Sequence, residues 1–265
     1  MYICNGAQHS SGFDMNHRYW FRERGITQMK RAYFKDSSTN NYHGLPTGIT
    51  VTNGYNSKAP SLNGTTSFIT MPTLLWQPTA FSVEWWMNPK TRTDNNQVIA
   101  AINNGGWGGF KFQTTSTGSV YVGTDTSTYF TPTDIPADTV LLNQWQHFSY
   151  TFDGAYARFY KNGVLVSGPK RQNPSSVAWG GFRIGVENSA NTINGFIDEM
   201  RISNIARSQE EVAEAYRSAL NHRISRTIPT TDLSSKTKLP FSIASDKPGT
   251  YLEATIGNSG YANYE

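Results

Sequence analysis

The chain has 265 residues, of which only 16% are charged and 13% aromatic, and its formal net charge is +4. Abundant Gly, Asn, Ser and Thr are typical of strands and turns, and the apolar content excludes a disordered chain. No apolar run reaches the roughly 18 residues that a membrane-spanning helix needs, so we expect no membrane insertion.

The basic residues are scattered, with local enrichment only in residues 22–35, although the pI is about 9.1. Proteins that bind nucleic acid usually gather such charge into a stripe. A solvated surface explains the charge better, and we expect no nucleic-acid partner.

Residues 1–35 are not assigned to a domain. Their first twelve residues, MYICNGAQHSSG, lack the charged and apolar regions of a signal peptide. Cys4 is the single cysteine, which excludes an intrachain disulfide and a cysteine-based zinc site. Its thiol could form an intermolecular bond in an oxidising compartment, but an incidental unpaired cysteine is the simpler explanation.

From residue 50 onward, turn signals separate short apolar runs. They are Asn53-Gly54, Asn63-Gly64, Asn104-Gly105, Asp153-Gly154, Asn162-Gly163 and Asn194-Gly195. Such dipeptides readily adopt positive φ and are the strongest short-range signal for a hairpin.

The runs between the turns alternate as strands do. In FSVEWWMNP, residues 81–89, one face carries Phe81, Val83, Trp85 and Met87, and the other carries Ser82, Glu84, Trp86 and Asn88. WQHFSYTFDG and AYARFYKNGVLVSG read as further strands folded about tight turns. No helix separates them, which favours an antiparallel meander over a parallel α/β sheet.

One helix is predicted, in SQEEVAEAYRSAL. Ser208 and Glu211 have the spacing of a capping box, and Val212 begins an apolar stripe that would dock on the sandwich edge. After Leu220, a Ser/Thr-rich linker leads to two strand-like stretches, LPFSIAS and TYLEATIG.

Several stretches together resemble the laminin-G-like or pentraxin-like branch of the concanavalin A-like lectin/glucanase superfamily. They are DSSTNNYHG, SLNGTTSFITMP, FSVEWWMNP, QWQHFSYTFDG with ARFYKNGVLV, and FRIGVENSANTINGFIDEMRISNIARSQEEV. The resemblance implies an all-β fold, a two-sheet antiparallel jelly-roll sandwich with one short C-terminal helix. We therefore predict a sandwich domain over 36–220 and a linker with a small β-rich extension over 221–265. That extension resembles the linkers between tandem copies of such domains, and a further domain after it is left open.

Hydrolysis is not expected. Laminarinase-type members of the superfamily place paired carboxylates on one strand as E-x-D-x-x-E, and this triplet is absent from the sequence. Glu84 has no acidic residue two or five positions away. We predict that the protein is not an enzyme.

A structural Ca²⁺ ion is implied by the resemblance. Asp198 matches the family's calcium-binding aspartate, and the Asn63-Gly64 turn matches the turn that supplies carbonyl ligands. The pattern differs at Asn63, where the family commonly has Asp, and at Ser67, where an acidic residue is usual. The alternative is that the Asp198 carboxylate caps nearby backbone amides.

Sugar-binding sandwiches need aromatic platforms flanked by amides and carboxylates. One candidate is the sheet face with Glu84, Trp86 and His147, provided that this face is exposed. The second is a set of loops, NNGGWGGF with Trp107, TDTSTYF with Tyr129, and GVENSAN with Asn188. The alternative for Trp86 and Trp107 is ordinary packing, because large aromatic side chains are mostly buried.

Three functions follow. The first is a recognition or adhesion module of a secreted or surface protein, extracellular or on a virion, that binds carbohydrate or protein through edge loops. The second is a structural subunit of a surface layer, filament or viral particle, because unpaired strand edges invite strand addition. A glucanase-like enzyme is the third and least supported. Homo-oligomerisation and a place in a larger assembly are left open.

Overall fold

The computed structural model describes most of the chain between residues 34 and 224 and a few strands outside it. The described residues are 2–4, 34–38, 40, 42–56, 58–72, 78–93, 96–102, 109–124, 128–174, 179–186, 192–224, 228–229, 254–256 and 261–264. They divide into two units, Met1–Ala215 and Tyr216–Glu265. The division falls inside the helix, and the predicted domain limit at residue 220 stays a prediction.

The larger sheet has eight strands. They are β1 (Tyr2–Cys4), β3 (Thr50–Asn53), β4 (Lys58–Asn63), β6 (Phe81–Pro89), β10 (Gln146–Phe152), β11 (Tyr156–Lys161), β12 (Val164–Arg171) and β14 (Asn194–Ser203). Their order is β12-β11-β10-β6-β14-β4-β3, and β1 pairs with β14 in parallel. The predicted antiparallel meander is confirmed as β10-β11-β12, with Asn162 and Gly163 both at positive φ in its second turn.

The second sheet has six strands, all antiparallel. They are β2 (Leu45–Thr47), β5 (Phe68–Met71), β7 (Asn96–Ile102), β8 (Lys111–Thr114), β9 (Val120–Gly123) and β13 (Gly181–Ile184). Their order is β2-β5-β13-β7-β8-β9. The predicted two-sheet antiparallel sandwich is confirmed.

The core lies between the two sheets, as the alternation in β6 predicts. Phe81, Val83, Trp85 and Met87 are each at most 1% exposed. The Trp85 ring meets Phe112 of the second sheet at 4.7 Å between centroids, in an edge-to-face arrangement. Loss of one such ring costs about 3–5 kcal/mol, so the aromatic contacts across the sandwich contribute much of its stability.

The predicted helix is confirmed as α1 (Gln209–Ile224). Ser208 Oγ accepts from the Glu211 amide at 3.2 Å, and Glu211 Oε2 accepts from the Ser208 amide at 2.8 Å, which completes the capping box. The Val212 side chain is fully buried. No helix in the described part of the chain is long and apolar enough to cross a membrane.

The second unit holds a three-stranded antiparallel sheet. Its strands are β15 (Ile228–Pro229), β16 (Ala254–Ile256) and β17 (Tyr261–Tyr264), in the order β15-β17-β16. β16 lies within the predicted strand TYLEATIG, whereas LPFSIAS lies outside the described residues.

Candidate functional site

The outer face of β6 brings together the residues predicted there, but that face is covered. His147 and Asp198 both pair with Trp86 in the strand register. Glu84, Trp86 and His147 are only 3%, 3% and 4% exposed. The Tyr55 ring stacks on Trp86 at 3.5 Å between centroids. A sugar platform on this sheet face was predicted on the condition that the face is exposed, and the face is buried. Trp86 instead takes part in ordinary packing, which was the alternative.

A second cover comes from the segment that follows β14. Ser82 Oγ donates to the Ile205 carbonyl at 2.9 Å and accepts from the Arg207 amide at 2.8 Å. Arg207 is thereby brought over the sheet, where the residue is only 6% exposed.

Beneath this segment Glu84 is surrounded by basic groups. Its Oε2 lies 3.2 Å from Arg207 Nε and 3.6 Å from Arg201 Nη1, which are ion-pair distances. His147 Nε2 is 4.0 Å from Oε1. Burial, with a smaller effect of Arg201, lowers the pKa of His147 to about 3. The histidine is therefore neutral at pH 7 and forms no ion pair with Glu84, whose charge is balanced by the arginines.

Asp198 accepts backbone hydrogen bonds on both carboxylate oxygens. Oδ2 accepts from the amides of Tyr55 at 2.8 Å and Asn56 at 3.3 Å, and Oδ1 accepts from Glu199 at 2.9 Å. Burial raises the pKa of Asp198 although these bonds oppose the rise. Gly54 is needed here, since a Cβ at that position would collide with the carboxylate. This donor set fits the capping alternative rather than the oxygen shell of calcium.

The Asn63–Gly64 turn does not reach Asp198. Asn63 pairs with Asn194 in the strand register, four positions before Asp198 and therefore about 13 Å along the strand. Asn63 Oδ1 instead accepts from the amides of its own turn, Thr65, Thr66 and Ser67. The turn beside Asp198 is Asn53-Gly54, an identical dipeptide ten positions earlier.

In the described part of the chain, no group of three His, Cys, Asp or Glu side chains could hold a metal ion. Calcium at Asp198 stays a prediction, and the amide donors around that carboxylate do not favour it.

The outer face of the six-stranded sheet carries a half-buried tyrosine pair. Phe112 and Val122 point into the core, so Gln113 and Tyr121, which pair across β8 and β9, lie on the outer face. The rings of Tyr121 and Tyr129 are 6.0 Å apart between centroids. Sequence reasoning found Tyr129 but missed Tyr121, although alternation in VYVG places it opposite two core valines.

The backbone fixes Tyr129 beside β9. Phe130 and Val122 exchange two backbone hydrogen bonds, of 2.8 and 3.1 Å. On the other side, the Asn173 amide donates to Thr128 Oγ1 at 3.0 Å. The tyrosine pair is therefore positioned before any ligand arrives.

Two of the three predicted loops connect to the same end of the six-stranded sheet, the end at which Lys111 pairs with Gly123. The loop containing Trp107 precedes β8, which begins at Lys111, and TDTSTYF follows β9, which ends at Gly123. The third loop follows β13, whose first residue, Gly181, pairs with Ile102 and whose last residue points to the opposite end of the sheet. Trp107 and Asn188 themselves lie outside the described residues.

A family model, Laminin_G_3 of the concanavalin A-like lectin/glucanases superfamily, matches residues 63–213. No curated protein matches the chain. Among solved structures, domain 4 of AbnA, a GH43 extracellular arabinanase from Geobacillus stearothermophilus in complex with arabinotriose, is 22% identical with a TM-score of 0.57, over 69% of this chain and 96% of that one.

Toxin binding domains share the fold as well. The binding domain of Paraclostridial Mosquitocidal Protein 1 is 19% identical with a TM-score of 0.55, over 71% of this chain and 50% of that one. The binding domain of botulinum neurotoxin DC, in complex with rat synaptotagmin II, is 12% identical with a TM-score of 0.52, over 68% of this chain and 48% of that one. The chain thus spans about half of these toxin domains, and the likeness shows a jelly-roll sandwich.

Proposed function

The chain belongs to the concanavalin A-like lectin/glucanases superfamily, and from this we propose that it is a non-catalytic module that recognises carbohydrate at the Tyr121–Tyr129 end of the six-stranded sheet. The observation that carries the proposal is the half-buried tyrosine pair. Aromatic faces stack on the apolar faces of sugar rings.

A polar side chain beside the pair adds to the chemistry of such a site. Lys111 is half-buried on the same outer face, whereas Gln113, next to Tyr121 across the strands, is only 5% exposed and supports the sheet from within. An ammonium group can hydrogen-bond to sugar hydroxyls while the rings supply the contact area. The bound arabinotriose in the similar arabinanase domain is in keeping with this ligand class.

Burial of the carboxylates supports a non-catalytic role. Glu84 is held by two arginines beneath a covered sheet face, and Asp198 is capped by three amides. A glycosidase needs an acid and a base or nucleophile on opposite sides of an accessible bond. A reducing-sugar assay on β-glucans that detected turnover would overturn this part of the proposal.

The test is a glycan array probed with the intact chain and with Tyr121→Ala and Tyr129→Ala. Because stacking on the ring is lost, each variant should bind the glycan at least about tenfold more weakly, which corresponds to ~1.4 kcal/mol of binding free energy. Tyr156→Ala is the matched control, because Tyr156 is 43% exposed and belongs to the other sheet. Equal glycan binding by all four proteins would reject the tyrosine site.

The broader setting is proposed too: a secreted or surface protein, with a protein ligand as the alternative to a glycan. The structural-subunit alternative is supported by the exposed edge strand β12, on which Val164 is 66% exposed. Light scattering that shows a monodisperse monomer would speak against an assembled subunit.

A further inference from the structure

A row of four aromatic rings runs from the interior to the surface on the outer face of the eight-stranded sheet. Tyr55 stacks on Trp86, the Trp145 ring lies 6.1 Å from the Tyr55 ring, and the Phe196 ring lies 6.2 Å from the Trp145 ring, between centroids. Tyr55 and Trp86 are each 3% exposed, whereas Trp145 and Phe196 are half-buried. The Trp145 and Phe196 rings are therefore partly accessible to a ligand, and Trp145 packs against the buried Tyr55 ring.

Backbone hydrogen bonds fix the strand ends on which the outer rings stand. The Lys90 amide donates to the Asn194 carbonyl at 2.8 Å, and the Asn143 amide donates to the Pro89 carbonyl at 2.8 Å. These bonds tie the end of β6 to the start of β14 and to the turn before Trp145. A platform of this kind loses little conformational entropy when a ligand binds.

Lys90 supplies a positive charge at the edge of the platform. Its side chain is exposed, and its Nζ lies 4.6 Å from the centroid of the Phe196 ring. Unlike Lys170, which lies 2.6 Å from Asp134, Lys90 pairs with no carboxylate in the described part of the chain. A cation–π contact at an exposed site is weak, so the ammonium remains able to bind an anion.

We propose that Trp145, Phe196 and Lys90 form a second binding site, for a sugar that carries a carboxylate. The apolar face of the sugar ring packs on the indole and phenyl rings, and the carboxylate pairs with the Lys90 ammonium. A neutral sugar would use the rings and leave the charge without a partner. The site lies on the opposite sheet from Tyr121 and Tyr129 and does not depend on them.

The test measures binding of galacturonic acid trisaccharide and of the matched neutral galactose trisaccharide by calorimetry. The unmodified chain should bind the acidic sugar more tightly, and added salt should weaken that binding. Lys90→Gln should weaken the acidic sugar about fivefold and leave the neutral sugar unchanged. Trp145→Ala should weaken both sugars more than about tenfold.

Lys58→Gln is the matched control, since Lys58 is an exposed lysine of the same sheet that bonds to Asn53, and it should change neither affinity. Tyr121→Ala should also leave the acidic sugar unaffected, which separates failure of this site from failure of the tyrosine site. Equal affinity of the chain for the two sugars, absence of acidic-sugar binding, or no effect of Lys90→Gln would overturn the proposal.

Discussion

Glu199 adopts a backbone conformation that few glutamates adopt, with φ of 49°. It lies, with Met200, where the register of β14 against β6 shifts between Asp198 and Arg201. Burial, reinforced by the neighbouring Asp198, raises the pKa of Glu199 to about 7. A carboxyl group that changes charge near neutral pH thus lies beside the capped aspartate.

The raised pKa makes stability fall as pH rises. Because Glu199 holds its proton more tightly when folded, its stabilising contribution is complete below its ordinary pKa of 4.5 and is lost as pH rises through about 7. Between pH 5 and pH 8 the unfolding free energy of the unmodified protein should fall by about 1–3 kcal/mol more than that of Glu199→Gln. Urea unfolding of both proteins at both pH values measures this difference.

The exposed Glu214 provides the control, because Glu214→Gln should leave the pH dependence as it is. If the difference in unfolding free energy between the unmodified protein and Glu199→Gln were the same at pH 5 as at pH 8, the pKa of Glu199 in the folded protein would be an ordinary one.

The Glu84 cluster gives a second prediction for a single residue. Glu84→Gln removes the buried carboxylate that pairs with Arg207 and Arg201 beneath the covering segment, which should cost about 3–5 kcal/mol. Asp153→Asn, in the more exposed pair with Arg158, should cost at most about 1 kcal/mol. Similar midpoints for both variants in chemical denaturation would contradict the cluster's structural role.

At the scale of elements, sequence alternation predicted which face of β6 enters the core, because neighbouring side chains of a strand point to opposite sides. It could not predict that the other face is covered. The covering groups come from far along the chain, as in the bond from Ser82 to Ile205, 123 positions apart. Likewise, Asn53-Gly54 and Asn63-Gly64 are identical as dipeptides, and only the strand register shows which one meets Asp198.

The contact between the Asn53-Gly54 turn and Asp198 gives a prediction for the turn before β4. Gly54→Ala would push a methyl group against the Asp198 carboxylate and against Ala59, so the turn must move and at least one capping bond must lengthen. We expect a loss of about 1–3 kcal/mol in unfolding free energy. Gly181→Ala is the control, because nothing lies within 4 Å of a Cβ there. A Gly54→Ala protein as stable as Gly181→Ala would contradict this account of the turn.

At the scale of the whole molecule, the two sheets differ in what their outer faces can do. On the eight-stranded sheet much of that face is occupied by the Tyr55 turn and the Ile205–Arg207 segment, and the aromatic rings reach solvent only at the strand ends. On the six-stranded sheet the tyrosine pair reaches the surface directly. Sequence patterns located Tyr129, whereas Trp145, Phe196 and Lys90 converge only through folding.

Metal dependence is also a property of the whole molecule. Because Asp198 is already bonded to three amides, we expect the melting temperature to be the same in EDTA and in millimolar calcium. Differential scanning calorimetry measures this directly. A rise in melting temperature with calcium that disappears in Asp198→Asn would instead establish the predicted ion.

The sheet order has a consequence for synthesis of the chain. β6, near the middle of the eight-stranded sheet, pairs with β10 and β14, and none of the earlier strands that the structure describes pairs with it. As the polypeptide leaves the ribosome, Trp85 and its neighbours must wait for residues 194–203 before β6 is paired on both sides. The sandwich therefore completes its fold only after most of it has been translated, and truncated nascent chains expose the very aromatic residues that later form its core.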